Sequence, residues 1–146
     1  MAKKLGNDYR LWIESATPGT YNEILGNQNL SISRSGQTID TGTKSDFPYS
    51  TMAAGLRALS IQATFIPNLP DANGYARLMT LVRSTTLSTV GIQIRKGGSS
   101  GATPADVVFE CDMYVTQDDN ELNQNSAVGA SVTFVASAAP DTDTLI

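Results

Sequence analysis

Residues Leu59-Ser60-Ile61-Gln62-Ala63-Thr64-Phe65 are apolar at every odd position and polar at every even one. Successive side chains of a β-strand point to opposite faces, whereas a helix would spread this pattern round its whole circumference, so the segment must be a strand with one dry and one wet face. Similar alternation recurs along the chain. Tyr9, Leu11 and Ile13 alternate with Arg10, Trp12 and Glu14. Leu30 and Ile32 alternate with Ser31 and Ser33 within a strand expected over 28–34. Further strands are expected at Thr89–Lys96, 106–117 and 128–137. The chain is therefore mainly β.

One helix interrupts the strands. Pro67 and Pro70 end the central strand, and Asp71 is expected to cap a helix running to about Ser84. Tyr75, Leu78, Met79 and Val82 are spaced i, i+3, i+4 and i+7, the single apolar stripe of a helix packed on a core. Residues 36–57 have no clear period, yet carry Phe47, Tyr49, Met52 and Leu56, and are expected to form a long loop. A solvated loop has little use for such side chains, so a partner is expected to cover them. Gly97-Gly98-Ser99-Ser100-Gly101 and the acidic, Asn-containing stretch 118–126 read as surface connections. The tail 138–146 has no period and is either frayed or ordered by another chain.

Composition narrows the chemistry. A chain of 146 residues is the size of one domain, and its 16% charged and 40% hydrophobic residues, with 14 Ser and 16 Thr, suit folded β structure rather than disorder. It has no His and a single Cys, Cys111, which removes Ser-His-Asp and Cys-His catalysis, His metal sites and any intramolecular disulfide. Residues 1–96 contain all 10 Lys and Arg, while residues 97–146 contain 8 acids and no base. Only Lys3-Lys4 and Arg95-Lys96 pair basic residues, too few to grip a phosphate backbone. The amino terminus has no apolar signal stretch and no run approaches the ~20 apolar residues of a spanning helix, so synthesis and folding in the cytoplasm without a membrane are expected.

The remaining motifs favour plain readings. The Gly97–Gly101 run leads through Ala102-Thr103-Pro104 into a strand, not into the Gly-Lys-Ser/Thr helix start of a phosphate loop. Asp118-Asp119-Asn120-Glu121 lacks the spacing and central Gly of a calcium loop. Glu110 and Asp112 share one strand face, and without other catalytic cues they read as solvated carboxylates opposite a dry face of Phe109, Cys111, Met113 and Val115. No catalytic residue, metal ligand or cofactor is expected.

The order of segments carries one resemblance. Asn29-Leu30-Ser31-Ile32-Ser33, then Thr38-Ile39-Asp40-Thr41-Gly42-Thr43-Lys44-Ser45-Asp46, then Gly55-Leu56-Arg57-Ala58-Leu59-Ser60-Ile61, followed by a helix and a late strand pair, resembles the tail tube proteins of long, non-contractile-tailed phages over roughly residues 8–137. Gene-transfer-agent tails and the tube protein of type VI secretion share that architecture. The resemblance implies a β-sandwich or half-barrel with one flanking helix, closing with its neighbours into a hexameric ring around an inner β-barrel. It further implies stacked rings that conduct DNA without binding it specifically, and a place in the virion tail after assembly in the host cytoplasm. Tape-measure, tail terminator and baseplate proteins are the partners it implies. On that reading Phe47, Tyr49 and Met52 touch a neighbouring ring, and Glu110 and Asp112 line the lumen as negative bands. The alternative is a monomeric β-barrel or sandwich that binds a small ligand or glycan.

Overall fold

The computed structural model describes residues 9–45, 49, 51–67, 74–96, 106–124 and 128–144. Eight strands and one helix follow in the order β1 (Tyr9–Glu14), β2 (Tyr21–Glu23), β3 (Asn27–Asp40), β4 (Met52–Phe65), α1 (Tyr75–Val82), β5 (Thr89–Lys96), β6 (Val107–Glu121), β7 (Gly129–Ala136) and β8 (Thr142–Asp143). They form one antiparallel sheet in the order β2-β1-β5-β6-β7-β4-β3, with β8 alongside β6. The sheet curls on itself, so that Leu11 and Ile13 of β1, Ile92 and Ile94 of β5, Ile61 and Phe65 of β4 and Val132 and Phe134 of β7 belong to one buried cluster. Tyr75, Leu78 and Met79 press the apolar stripe of α1 into the same cluster. The result is a half-barrel with a flanking helix.

The alternation read from the sequence sorts the faces as expected in β4, where Ile61, Ala63 and Phe65 are buried and Gln62 is exposed. In β6, Phe109, Cys111, Met113 and Val115 are buried and Asp112 is exposed. Each fully buried aliphatic or aromatic side chain of this kind contributes about 1.5–3 kcal/mol.

Four expectations need correction. Residues 36–57 are not a loop without regular structure. Their flanks extend β3 and β4 into a hairpin arm, paired Thr38↔Ala54, Ile39↔Ala53 and Asp40↔Met52, and continued by a hydrogen bond from the Thr41 amide to the Thr51 carbonyl at 3.0 Å. No period shows there because neither face of the arm is buried. Second, β6 continues through Glu121, so the acidic stretch after 117 begins as strand. Third, the tail returns as β8, which pairs Phe109↔Asp143 and Glu110↔Thr142 within the same chain. Fourth, the helix runs from Tyr75, with Gly74 as its cap residue. The cap expected at Asp71 lies outside the described residues.

A bulge between Val115 and Gln117 reverses which β6 side chains face the core. Before it the odd residues point inward. After it Asp118 stands opposite the buried Val132 and Asn120 opposite the buried Ala130, so the even residues do.

Candidate assembly surfaces

The sheet has two faces turned away from the core cluster, of which the first is largely buried at Trp12, Gln93 and Arg95, and one arm. The first face covers β1, β5 and the first half of β6. Trp12, Gln93 and Glu110 stand in one cross-strand row. The Arg95 guanidinium lies 4.1 Å from the centre of the Trp12 ring and donates to Gln93 Oε1 from Nε at 3.0 Å and from Nη2 at 2.9 Å. A cation held this way over an indole is fixed by both the ring and the amide. Burial lowers the pKa of Arg95, and Asp106 counters that shift.

Glu110 is half-buried on this face. The Tyr21 hydroxyl donates to Glu110 Oε1 at 3.2 Å, reaching it across Gly91. A Cβ at Gly91 would sit 2.5 Å from the Tyr21 hydroxyl oxygen, so this crossing requires glycine. Burial first, and then the negative charges of Glu14 and Glu110, push the Tyr21 hydroxyl far above its ordinary pKa, which keeps it a donor. Asp112, opposite Gly91, is exposed. The two carboxylates thus share a face away from the core, as expected, but one is held by a tyrosine and the other is free to meet solvent. Tyr21 carries no signal in the residue pattern, because its three-residue strand is too short for a period.

The second outward face covers β3, β4, β7 and the second half of β6. One row across it reads Ser31, Gln62, Thr133, Gln117. The next reads Asn29, Thr64, Ser131, Asp119. Hydroxyls and amides dominate this face, and Gln117 Nε2 donates to Asp119 Oδ2 at 2.7 Å.

The arm projects beyond both faces. β7 supports β4 only from Ser60 onward, so Met52 to Leu59 pair with β3 alone, about 25 Å of ladder at the usual strand rise. Tyr49 is 84% exposed and Leu56 80%, and Ile39 and Met52 are exposed as well. Of the expected contact residues, Tyr49 and Met52 are therefore on this projection. Phe47 lies outside the described residues.

An open groove of about 790 Å³ runs beside the edge of β3 that has no neighbouring strand among the described residues, bounded across from it by Tyr9 and Arg10 of β1 and Glu23 of β2. Glu23 Oε1 accepts from Arg10 Nη1 at 2.8 Å, but the buried Glu23 Oε2 and the Asn27 Nδ2 amide have no partner. Among the described residues no cluster of three or more Cys, Asp or Glu is placed to hold a metal ion. No described helix is long and apolar enough to cross a membrane.

The fold matches solved structures of tail and tube assemblies. The chain superposes on a protein from the tail of an empty gene transfer agent particle, solved with C6 symmetry, with a TM-score of 0.74 and 17% identity over 96% of this chain and 98% of that one. The fold is that of a tail tube protein. The SPP1 tail tube matches it at a TM-score of 0.73 and 13% identity, over 96% of this chain and 81% of that one. A chain of the anti-feeding prophage baseplate shares the tail tube fold at a TM-score of 0.69 and 9% identity, over 99% of both chains. No protein-family model and no curated protein sequence matches the chain.

Proposed function

We propose that this chain is a structural subunit of a tail tube: six copies close into a ring, rings stack into a hollow conduit, and DNA passes through without specific binding. The arm carries this reading. A solvent-exposed ladder bearing Ile39, Met52 and Leu56, with the exposed Tyr49 three residues before it, costs solubility in a monomer and is accounted for if a neighbouring ring covers it. The sixfold symmetry of the gene-transfer-agent tail, whose protein has nearly the same length and fold, supports the ring number. The related chains from a baseplate and from a tube-terminating cap support baseplate and terminator proteins as end partners, and a tape-measure protein would occupy the lumen during assembly. The virion tail is then the location of the assembled protein. Its chemistry is mechanical: the chain supplies a wall, and no residue is assigned a reaction.

The test is sedimentation of the purified protein beside a Leu56→Asp variant. Wild type should pellet as polymer, and the variant should stay at the 15.5 kDa of a single chain or at ring size. Wild type that remains monomeric at every concentration contradicts the proposal.

A further inference from the structure

The groove beside β3 holds the least satisfied groups of the chain. Among the described residues β3 has β4 on one side only, so alternate residues of the strand turn their backbone amides and carbonyls away from any partner. Two side chains there are also incomplete. The Glu23 side chain is 7% exposed, and while Arg10 holds Oε1, Oε2 is buried with no partner among the described residues. The Asn27 Nδ2 amide is buried in the same condition. A half-used carboxylate at this depth is costly unless a further donor reaches it. Arg34, which also lines the groove, is already taken by Asp143. Leu30, Ile32 and Ile94 add apolar lining.

The groove therefore fits an extended segment that brings a cation, an apolar side chain and an unpaired backbone. The chain carries such a segment next to it. Residues 1–8 read Met1-Ala2-Lys3-Lys4-Leu5-Gly6-Asn7-Asp8 and lead directly into Tyr9, which itself lines the groove. Gly6-Asn7-Asp8 consists of residues that favour a turn. The five residues before it, about 16 Å when extended, are long enough to follow most of the roughly 23 Å of β3 between Asn27 and Arg34. They carry two lysines and no acid. In an extended chain Lys3 and Leu5 share one face, which matches a carboxylate and an apolar lining on the same side of the groove.

We infer that, in the unassembled subunit, residues 1–5 of the same chain dock in this groove along the edge of β3, with the Lys3 ammonium donating to Glu23 Oε2 and Leu5 against Leu30 and Ile32, as an autoinhibitory latch. An uncovered strand edge is a template for indiscriminate pairing, and a segment added to it takes up its backbone groups. Any chain that pairs at this edge must first displace the latch. The docking rests on the groove alone, and its consequence for assembly rests on the tube reading: a chain without the segment polymerises more readily.

Amide hydrogen exchange of the Leu56→Asp protein, isolated as single chains, tests the docking. Peptides covering Asn27 to Arg34 should exchange about tenfold faster once residues 2–8 are deleted, and as fast with Lys3→Glu and Lys4→Glu together, while peptides of β5 keep their protection. Equal exchange in the three proteins overturns the inference. Protection of β3 that appears only as the concentration rises overturns it too, because the cover then comes from a second copy. With Leu56 restored, the chain lacking residues 2–8 should pellet as polymer at a several-fold lower concentration than wild type, and an unchanged or higher concentration overturns the latch. Wild-type protein that never polymerises removes the tube reading, and the exchange comparison still decides the docking.

Discussion

Arg34 holds Asp143 through two hydrogen bonds, Nη2 to Oδ1 at 2.6 Å and Nε to Oδ2 at 2.9 Å, across 109 residues of sequence. Arg34 is opposite Leu59, one row past the last β4 residue that β7 supports, so the pair ties β8 to the root of the arm. Both side chains are solvent-accessible, and exposed pairs contribute about 0–1 kcal/mol to folding. Arg34→Ala should therefore lower Tm by no more than about 4 °C. Polymerisation should suffer more, because the arm root loosens. The concentration at which polymer first pellets should rise in Arg34→Ala and in Asp143→Ala alike, with no further rise in the double variant.

Gly91→Ala tests the Tyr21 crossing. The added methyl should push Tyr21 off Glu110 and cost about 1–3 kcal/mol, as overpacking does elsewhere. Removing the ring should relieve the clash, so Gly91→Ala should cost much less in a Tyr21→Ala background than in wild type. Urea denaturation of the four proteins measures this, and equal costs in both backgrounds would contradict the placement of Tyr21.

Asp118 should make stability depend on pH. The bulge turns this carboxylate toward the core, where Asn120 Nδ2 donates to Oδ2 at 2.9 Å and Oδ1 has no partner among the described residues. Burial is the main cause that raises its pKa; Asn120 and Arg83 oppose the shift, and Asp119 adds to it. A raised carboxylate pKa means that the folded state binds its proton more tightly than the unfolded state. The stability from this group is then full below the unfolded value and is lost as pH rises through the folded one. Asp118→Asn should accordingly be more stable relative to wild type at pH 7 than at pH 3, read by denaturation at both. A difference that is flat with pH would contradict the buried placement.

Cys111 should be chemically silent in the folded chain. It is fully buried, and burial, helped by the charges of Asp112 and Asp141, pushes its thiol up to about 11. At pH 8 a disulfide reagent should react with it only after unfolding, at a rate that tracks global opening.

The parts of this fold legible in the sequence are those with one buried face. β4 from Leu59 and the first half of β6 alternate because a core lies on one side only, whereas β5 alternates in residue type although its polar face, with Gln93 and Arg95, is buried as well. The arm was not legible, since water surrounds both its faces and Gly36 and Gly55 interrupt it. At Gly55 a Cβ would stand 3.0 Å from Gln37, so the glycine reflects a close approach of the two strands. Glu110 and Asp112 were placed on the right side of β6 but could not be assigned to a layer, because the bulge at Thr116 leaves no mark in the residue pattern. Tyr21 and the Arg34–Asp143 pair depend on contacts between residues distant in sequence, which periodicity does not record.

Electron microscopy of the purified wild-type protein decides whether the chain builds a tube. Hollow filaments of uniform width are expected, with end-on views showing sixfold rings around an open channel. A field of separate particles of single-chain size, at concentrations where the exposed arm should find partners, would contradict it.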